Sequence, residues 1–221
     1  MKTLLLNFKN YPEVLGPGSV ELSLAAAKVA KKVKAEVIVA PPTSMLGLVA
    51  SRVDIQVFSQ SLGKESGEKT TGANTPEAVA GARASGALLN HSEARIPMGS
   101  ARIIVARARE LGLRICLCSR DTAEAVRLAR LKTEYVAVEP PELIGSGIAV
   151  SKARPQVVSG TVRALRSAGY GGSILCGAGI VTGEDVRKAV SLGADGVLVS
   201  SSVVKARDWE ARIGELAASL I

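Results

Sequence analysis

Aromatic residues are scarce in this chain of 221 residues, where Phe, Tyr and Trp together make up 3%. The interior must therefore be built from Ala, Val, Leu and Ile, a composition that suits parallel strands covered by helices. A surface that stacks nucleic-acid bases needs aromatic side chains, so the formal net charge of +8 does not indicate one. Lys and Arg are scattered along helical segments, as on solvated helix faces. We expect no nucleic-acid partner.

Cysteine and long apolar runs are also in short supply. The three cysteines, Cys116, Cys118 and Cys176, have neither the number nor the spacing of a disulfide framework or a metal site. In a strand, Cys116 and Cys118 point to the same face, where they act as small apolar fillers. No segment approaches the roughly 18 apolar residues of a membrane span, and the N-terminal apolar stretch is too short for a signal peptide. We expect a soluble, cytoplasmic protein without a metal ion or a membrane partner.

Short β-branched runs alternate with amphipathic segments along the whole chain, and no linker divides it. This pattern predicts one domain over residues 1–221. The predicted strands are Thr3–Phe8, Glu36–Ala40, Ile55–Ser59, Ala87–Asn90, Arg114–Cys118, Tyr135–Val138, Ser173–Cys176 and Gly196–Val199. The predicted helices are Val20–Val33, Ser100–Leu111, Thr122–Leu131, Gln156–Ala168 and Glu184–Leu192.

Helix-capping residues flank several of these segments. Ser100, Asp121 and Thr182 stand where helices are predicted to begin, and glycines stand where three of them end. Eight strands alternating with helices leave an open doubly wound sheet or a closed barrel. The first strand runs into NFKNYPEV without the G-x-G-x-x-G turn of a dinucleotide-binding sheet. The sequence therefore predicts a closed (β/α)8 barrel.

Three polar residues follow three predicted strands directly. Lys9 follows TLLLNF, His91 follows ALLN, and Glu139 follows YVAV. Each alone is typical of an ordinary strand end, but loops at the carboxyl ends of barrel strands form the active site in this architecture. Together the lysine, the histidine and the carboxylate indicate one catalytic mouth.

Small residues follow the seventh and eighth predicted strands. Gly177 and Gly179 lie in the segment CGAGI, and residues 200–202 are three serines that open another helix. Backbone N–H groups in such segments can hold a phosphate, and barrels often bind phosphate after these two strands. Tight turns that simply need glycine are the alternative interpretation.

Three segments of the sequence resemble the signature segments of triosephosphate isomerase. They are NFK at residues 7–9, NHSEAR at 90–95 and AVEPPELIGSG at 137–147, in the order found in that family. The similarity extends from Lys2 to near the C-terminus, and the short length is similar to the compact archaeal branch. The resemblance implies a TIM barrel that interconverts dihydroxyacetone phosphate and D-glyceraldehyde 3-phosphate in glycolysis and gluconeogenesis, without a cofactor.

The resemblance also implies roles for particular residues. Glu139 would be the general base, His91 a neutral electrophile, and Lys9 a stabiliser of negative charge. This family is the standard example of that division of labour, so the roles come from the resemblance alone. Lys9 and Asn7 would also bind the substrate, as would Ile144 and Gly145 in a closing lid. The last substrate-binding residues would be Gly179, Ser200 and Ser201. Many relatives have a glycine-containing pair at residues 200 and 201.

Other interpretations remain open at this point. The C-terminal half would suit a phosphosugar epimerase or a phosphoribosyl isomerase, although these enzymes need different residues after the first and sixth strands. A basic, non-catalytic scaffold for RNA has only the net charge in its favour. The resemblance implies a homo-oligomer, with a tetramer favoured and a dimer as the alternative, and the Arg-rich helices Ser100–Leu111 and Thr122–Leu131 are candidate contacts.

Overall fold

Eight parallel strands close into a barrel in the computed structural model, which describes residues 1–66, 68–140 and 149–221. The strands follow chain order, and hydrogen bonds between β1 and β8 complete the barrel. Their bounds are β1 Lys2–Asn7, β2 Ala35–Ala40, β3 Gln56–Ser59, β4 Gly86–Leu89, β5 Arg114–Ser119, β6 Tyr135–Val138, β7 Ser173–Cys176 and β8 Gly196–Val199. The predicted (β/α)8 barrel is confirmed, and each predicted strand lies within one residue of the observed one.

Helices pack around the barrel and connect its strands. In the described ranges they are α1 Pro17–Ala30, α2 Leu46–Ala50, α3 Pro76–Gly81, α4 Met98–Glu110, α5 Thr122–Ala129, α6 Val150–Ala153, α7 Pro155–Ser167, α8 Gly183–Ser191, α9 Ser201–Val204 and α10 Trp209–Ala218. The five predicted helices correspond to α1, α4, α5, α7 and α8. The helices α2, α3, α6 and α10 were not predicted. The first three have only four to six residues, which are too few to reveal a helical period.

Two of the three predicted N-terminal caps are confirmed. The Asp121 side chain accepts a hydrogen bond from the third residue of α5, and Thr182 and Asp185 form a reciprocal capping box at the start of α8. The cap predicted at Ser100 is wrong, because α4 already begins at Met98. Pro97 takes the cap position with an extended ψ of 147°, and proline is well suited to precede a helix but not to continue one.

Two apolar clusters make up the core. The larger cluster fills the space between the outer faces of the strands and the helices. The smaller cluster fills the barrel interior with residues Leu5, Ile38, Ala40, Phe58, Leu88, Cys116, Cys118, Tyr135, Ala137, Leu175 and Leu198. Cys116 and Cys118 are thus both interior fillers, as predicted. The rings of Phe58 and Tyr135 meet edge to face with centroids 6.0 Å apart.

A polar network closes the barrel at the amino ends of the strands. Arg114 donates to a Glu36 oxygen at 2.8 Å and its guanidinium lies 4.9 Å from the Tyr135 ring centroid, while Tyr135 and Thr3 donate to the other Glu36 oxygen. Burial raises the pKa of Glu36, but hydrogen bonds from Arg114 and Tyr135 outweigh burial and hold it below 4.5. This network lies at the end of the barrel opposite the strand ends that carry the candidate site.

Within the described parts of the chain, no helix is both long enough and apolar enough to cross a membrane.

Candidate active site

A cavity at the carboxyl ends of the strands brings the predicted site residues together. Its lining includes Asn7, Lys9, His91, Glu139, Gly179, Ser200 and Ser201. These residues come from the ends of β1, β4, β6, β7 and β8, which are distant in sequence and adjacent at the barrel mouth. Ile144 and Gly145 lie outside the described residues. The cavity has the composition expected of a site for a small anion: a cation, two titratable groups and a wall of small residues.

Glu139 follows β6 and is buried at the floor of this cavity. Its Oε2 atom has no hydrogen-bond partner among the described residues and lies 3.7 Å from the Nε2 atom of His91. Burial raises the pKa of Glu139 above 4.5, and His91 and a hydrogen bond from Cys118 oppose that shift in part. A buried carboxylate with an unpartnered oxygen is suited to accept a proton from a bound molecule.

His91 follows β4 and is also buried. The backbone N–H of Glu93 donates to its Nδ1 atom at 3.2 Å. Because Nδ1 acts as the acceptor, a neutral ring carries its proton on Nε2, which is the nitrogen nearest Glu139. The tautomer is thus set by the turn that follows β4, and His91 offers an N–H donor to the cavity.

Lys9 is held at the cavity by its side chain and by its backbone. Its Nζ atom lies 2.6 Å from Oε1 of Glu93. Its φ of 51° is in the left-handed region, which is unfavourable for a residue with a Cβ atom. Asn7 Oδ1 accepts from the Lys9 N–H, and Gln60 donates to the carbonyl oxygens of Lys9 and Ala40, each at 3.0 Å. These contacts fix the direction of the ammonium group.

Two of these functional residues were missed by sequence reasoning. Glu93 stands in the NHSEAR segment two residues after His91, and that proximity was a signal that it could approach the site. Gln60 follows β3 directly, in the same position relative to its strand as Glu139 after β6. Its contact with Lys9, 51 residues away in sequence, has no local signal.

The wall formed after β7 and β8 contains small residues and backbone donors. Ala178 and Gly179 both have a φ of 71°, which turns the chain sharply beneath the cavity. The helix α9 begins at Ser201, and the N–H groups of a first helical turn lack intrahelical acceptors. The Oγ atoms of Ser200 and Ser202 are buried without a hydrogen-bond partner in the described parts of the chain. This wall can therefore supply donors to an anion.

Gly177 explains why the Glu139 side chain fits against this wall. A Cβ atom added at Gly177 would lie 2.4 Å from Glu139 Cγ and 2.8 Å from Oε1.

No cluster of three or more metal-ligating side chains occurs in the residues that the structure describes. The arrangement places a buried carboxylate, an N–H donor and a fixed ammonium group around one space. It can remove a proton next to a carbonyl and stabilise the resulting oxyanion.

Comparisons with known proteins agree with this chemistry. A family model described as triosephosphate isomerase matches residues 2–216. A curated protein named triosephosphate isomerase from Caldivirga maquilingensis is 44% identical, over 99% of this chain and 97% of the relative. Proteins of the same name from Cenarchaeum symbiosum and Methanocaldococcus jannaschii are 43% and 39% identical, over 98% and 96% of this chain and 97% of each relative.

Proposed function

Since the chain belongs to the triosephosphate isomerase family, we propose that it interconverts dihydroxyacetone phosphate and D-glyceraldehyde 3-phosphate by proton transfer through an enediolate. The observation that carries the proposal is the separation of 3.7 Å between Glu139 Oε2 and His91 Nε2 at the floor of the cavity. A base and a donor at that spacing can act on neighbouring atoms of one substrate. The reaction serves glycolysis and gluconeogenesis.

In the proposed reaction, Glu139 removes a proton from the carbon next to the substrate carbonyl. The Nε2–H group of His91 donates to the carbonyl oxygen, where negative charge develops, and the Lys9 ammonium group stabilises that charge. The hydroxyl proton of the enediolate then moves to the former carbonyl oxygen, with His91 Nε2 as the carrier between the two oxygens, and the protonated Glu139 returns its proton to the neighbouring carbon, which yields the isomer. The raised pKa of Glu139 makes it a stronger base than an exposed carboxylate. No cofactor takes part in this proton transfer.

The substrate phosphate would bind to the wall after β7 and β8. Gly179, Ser200 and Ser201 line that wall, and Asn7 and Lys9 lie at its edge. Backbone N–H groups and helix starts favour a phosphate dianion. Ile144 and Gly145 remain part of the proposal as lid residues that contact the phosphate when the site is closed.

The proposal also covers the organisation of the whole protein. We assign residues 1–221 to one barrel domain in a cytoplasmic enzyme that assembles as a homo-oligomer, with a tetramer favoured and a dimer as the alternative. Leu15 and Leu48 are candidate apolar contacts between subunits, because both are half exposed in the connections after β1 and β2. Met98, Val105 and Leu131 line a groove between α4 and α5. Light scattering should report an oligomer, and a monomer would contradict this part of the proposal.

The decisive experiment is a coupled assay of glyceraldehyde 3-phosphate isomerisation that compares the wild type with Glu139→Gln. We expect the substitution to lower kcat by about 10²–10⁴-fold, the usual contribution of a positioned base. Thermal unfolding of both proteins controls for folding. An inactive but folded wild type would refute the reaction, and a fully active Glu139→Gln would refute the assignment of the base. A panel of ribose-based phosphates tests for a different phosphosugar substrate.

A further inference from the structure

A cluster of polar side chains behind His91 joins the turn after β4 to helix α5. We call Asn90, Arg95 and Glu124 the Glu124 cluster. Glu124 is the third residue of α5 and is 8% exposed. None of these three residues lines the cavity that holds Glu139. The cluster is connected to the site by the peptide bond that joins Asn90 to His91.

Asn90 adopts an unfavourable backbone conformation directly before His91. Its φ is 60°, in the left-handed region that most residues with a Cβ atom avoid. Its side chain donates to the carbonyl oxygen of Cys118 at 2.9 Å and accepts from the N–H of Ile96 at 3.2 Å. This conformation, which asparagine adopts more readily than other residues with a Cβ atom, turns the chain so that the His91 ring enters the cavity, and the surrounding groups hold it there.

Arg95 and Glu124 hold the same turn from the other side. The Nη1 atom of Arg95 donates to the Asn90 carbonyl oxygen at 3.1 Å and to Glu124 Oε2 at 3.0 Å. The other Glu124 oxygen accepts from the Asn90 side chain at 3.3 Å. The peptide group that carries His91 is therefore bound to Arg95, and Arg95 is bound to a carboxylate fixed in α5.

We propose that Glu124 is a positioning residue for the isomerisation, which holds His91 Nε2 against the substrate carbonyl through Arg95 and Asn90. This inference rests on the proposed function, because it assumes that His91 is the electrophile. Donors that stabilise an oxyanion must be aimed at it before the reaction, and displacement of about 1 Å can cost about 10²-fold in rate. Glu124 acts at a distance, and it contacts neither the substrate nor the reacting atoms.

Glu124 also has a purely structural contact, because its Oε2 accepts from the Arg120 N–H at 2.8 Å at the start of α5. The test must therefore separate helix capping from positioning. Arg95→Met removes the bridge to Asn90 and leaves the contact between Arg120 and Glu124 in place. The Glu36–Arg114 pair, at 2.8 Å, is a matched control at the opposite end of the barrel.

The experiment measures kcat, KM and the unfolding temperature for the single variants Glu124→Ala, Arg95→Met and Glu36→Ala. Glu124→Ala and Arg95→Met are then each measured again in combination with His91→Asn. We expect Glu124→Ala and Arg95→Met to lower kcat by roughly 10- to 100-fold, with KM within about twofold of wild type because the phosphate wall is untouched. Added to His91→Asn, neither should lower the residual kcat further by more than about twofold. Glu36→Ala should lower the unfolding temperature and leave kcat unchanged.

Wild-type kcat in a folded Arg95→Met variant would overturn the inference. The inference would also be overturned if either substitution lowered kcat in the His91→Asn background as much as it does in the wild type, because the effect would then not depend on His91. If Glu124→Ala does not fold, Arg95→Met carries the same test alone. These outcomes differ from failure of the proposed function, which would show as an inactive wild type or as an unimpaired His91→Asn variant.

Discussion

Gly177 is a position where one added methyl group should lower turnover although no charged residue is replaced. A Cβ atom there would lie 2.4 Å from Glu139 Cγ, 2.8 Å from Oε1 and 2.9 Å from Cδ. The Gly177 N–H donates to the Val138 carbonyl oxygen at 2.9 Å, so the backbone cannot easily retreat. Cγ lies near the start of the side chain, and therefore the whole Glu139 carboxylate must move.

The size of the expected effect follows from these distances. Non-bonded carbon atoms prefer separations of about 3.5–4.0 Å, so Gly177→Ala should displace Glu139 by roughly 1 Å. A misplacement of that size typically costs about 10²-fold in rate, which corresponds to roughly 2.7 kcal/mol of activation free energy. The coupled isomerase assay should show this loss in kcat. Gly177 has no positive φ, so alanine introduces no backbone strain of its own.

Gly160→Ala provides the matched control. A Cβ atom at Gly160 in α7 meets nothing within 4 Å, and alanine favours a helix, so this variant should keep wild-type kcat and gain stability. If folded Gly177→Ala retains kcat within about threefold of wild type, the base does not depend on this contact, and the account of its placement is wrong.

Three further predictions concern carboxylates in and opposite the site. Glu139→Gln should raise the free energy of unfolding at pH 7, because burial raises the pKa of Glu139 above 4.5 and ionisation then destabilises the fold; urea titrations should show the gain vanish below about pH 4.5. Glu36→Gln should lower that free energy by roughly 2 kcal/mol at pH 7. Since the pKa of Glu36 is lowered, this loss should shrink as the pH falls below about 4.5. Glu93→Gln replaces the charged acceptor of Lys9 by a neutral amide oxygen and should lower kcat about tenfold in the coupled assay; unchanged kcat would contradict a role for that ion pair.

Most of the fold was predictable because each strand is short, apolar and bounded by polar residues. The predicted strand Tyr135–Val138, for example, matches β6 at both ends. Helix starts were less predictable, because competing residues can take the cap. Pro17 begins α1 three residues before the predicted start at Val20, since proline suits the first helical position. Ser100 fails as a cap for the same kind of reason.

The candidate site was predictable to the extent that single strands determine it. Lys9, His91 and Glu139 follow three strands, so barrel topology alone brings them to one mouth. The contacts that aim them were not predictable in the same way. Gln60 reaches the Lys9 carbonyl oxygen and Glu124 reaches Arg95, and each contact joins segments at least 29 residues apart. These contacts between side chains form only when the strands lie side by side in the closed barrel.

The hydrogen bonds between β1 and β8 have a consequence for synthesis on the ribosome. Thr3 pairs with Gly196 and Leu6 with Val199. The hydrogen bonds of β1 on this side therefore cannot form until β8, the last strand, has been synthesised. Until then β1 presents an unpaired edge, which is a template for association with other chains. Contacts so distant in sequence also slow folding. A nascent chain that stalls before residue 196 therefore has neither a closed sheet nor the serine wall, and we expect it to depend on chaperones rather than to hold a partly active structure.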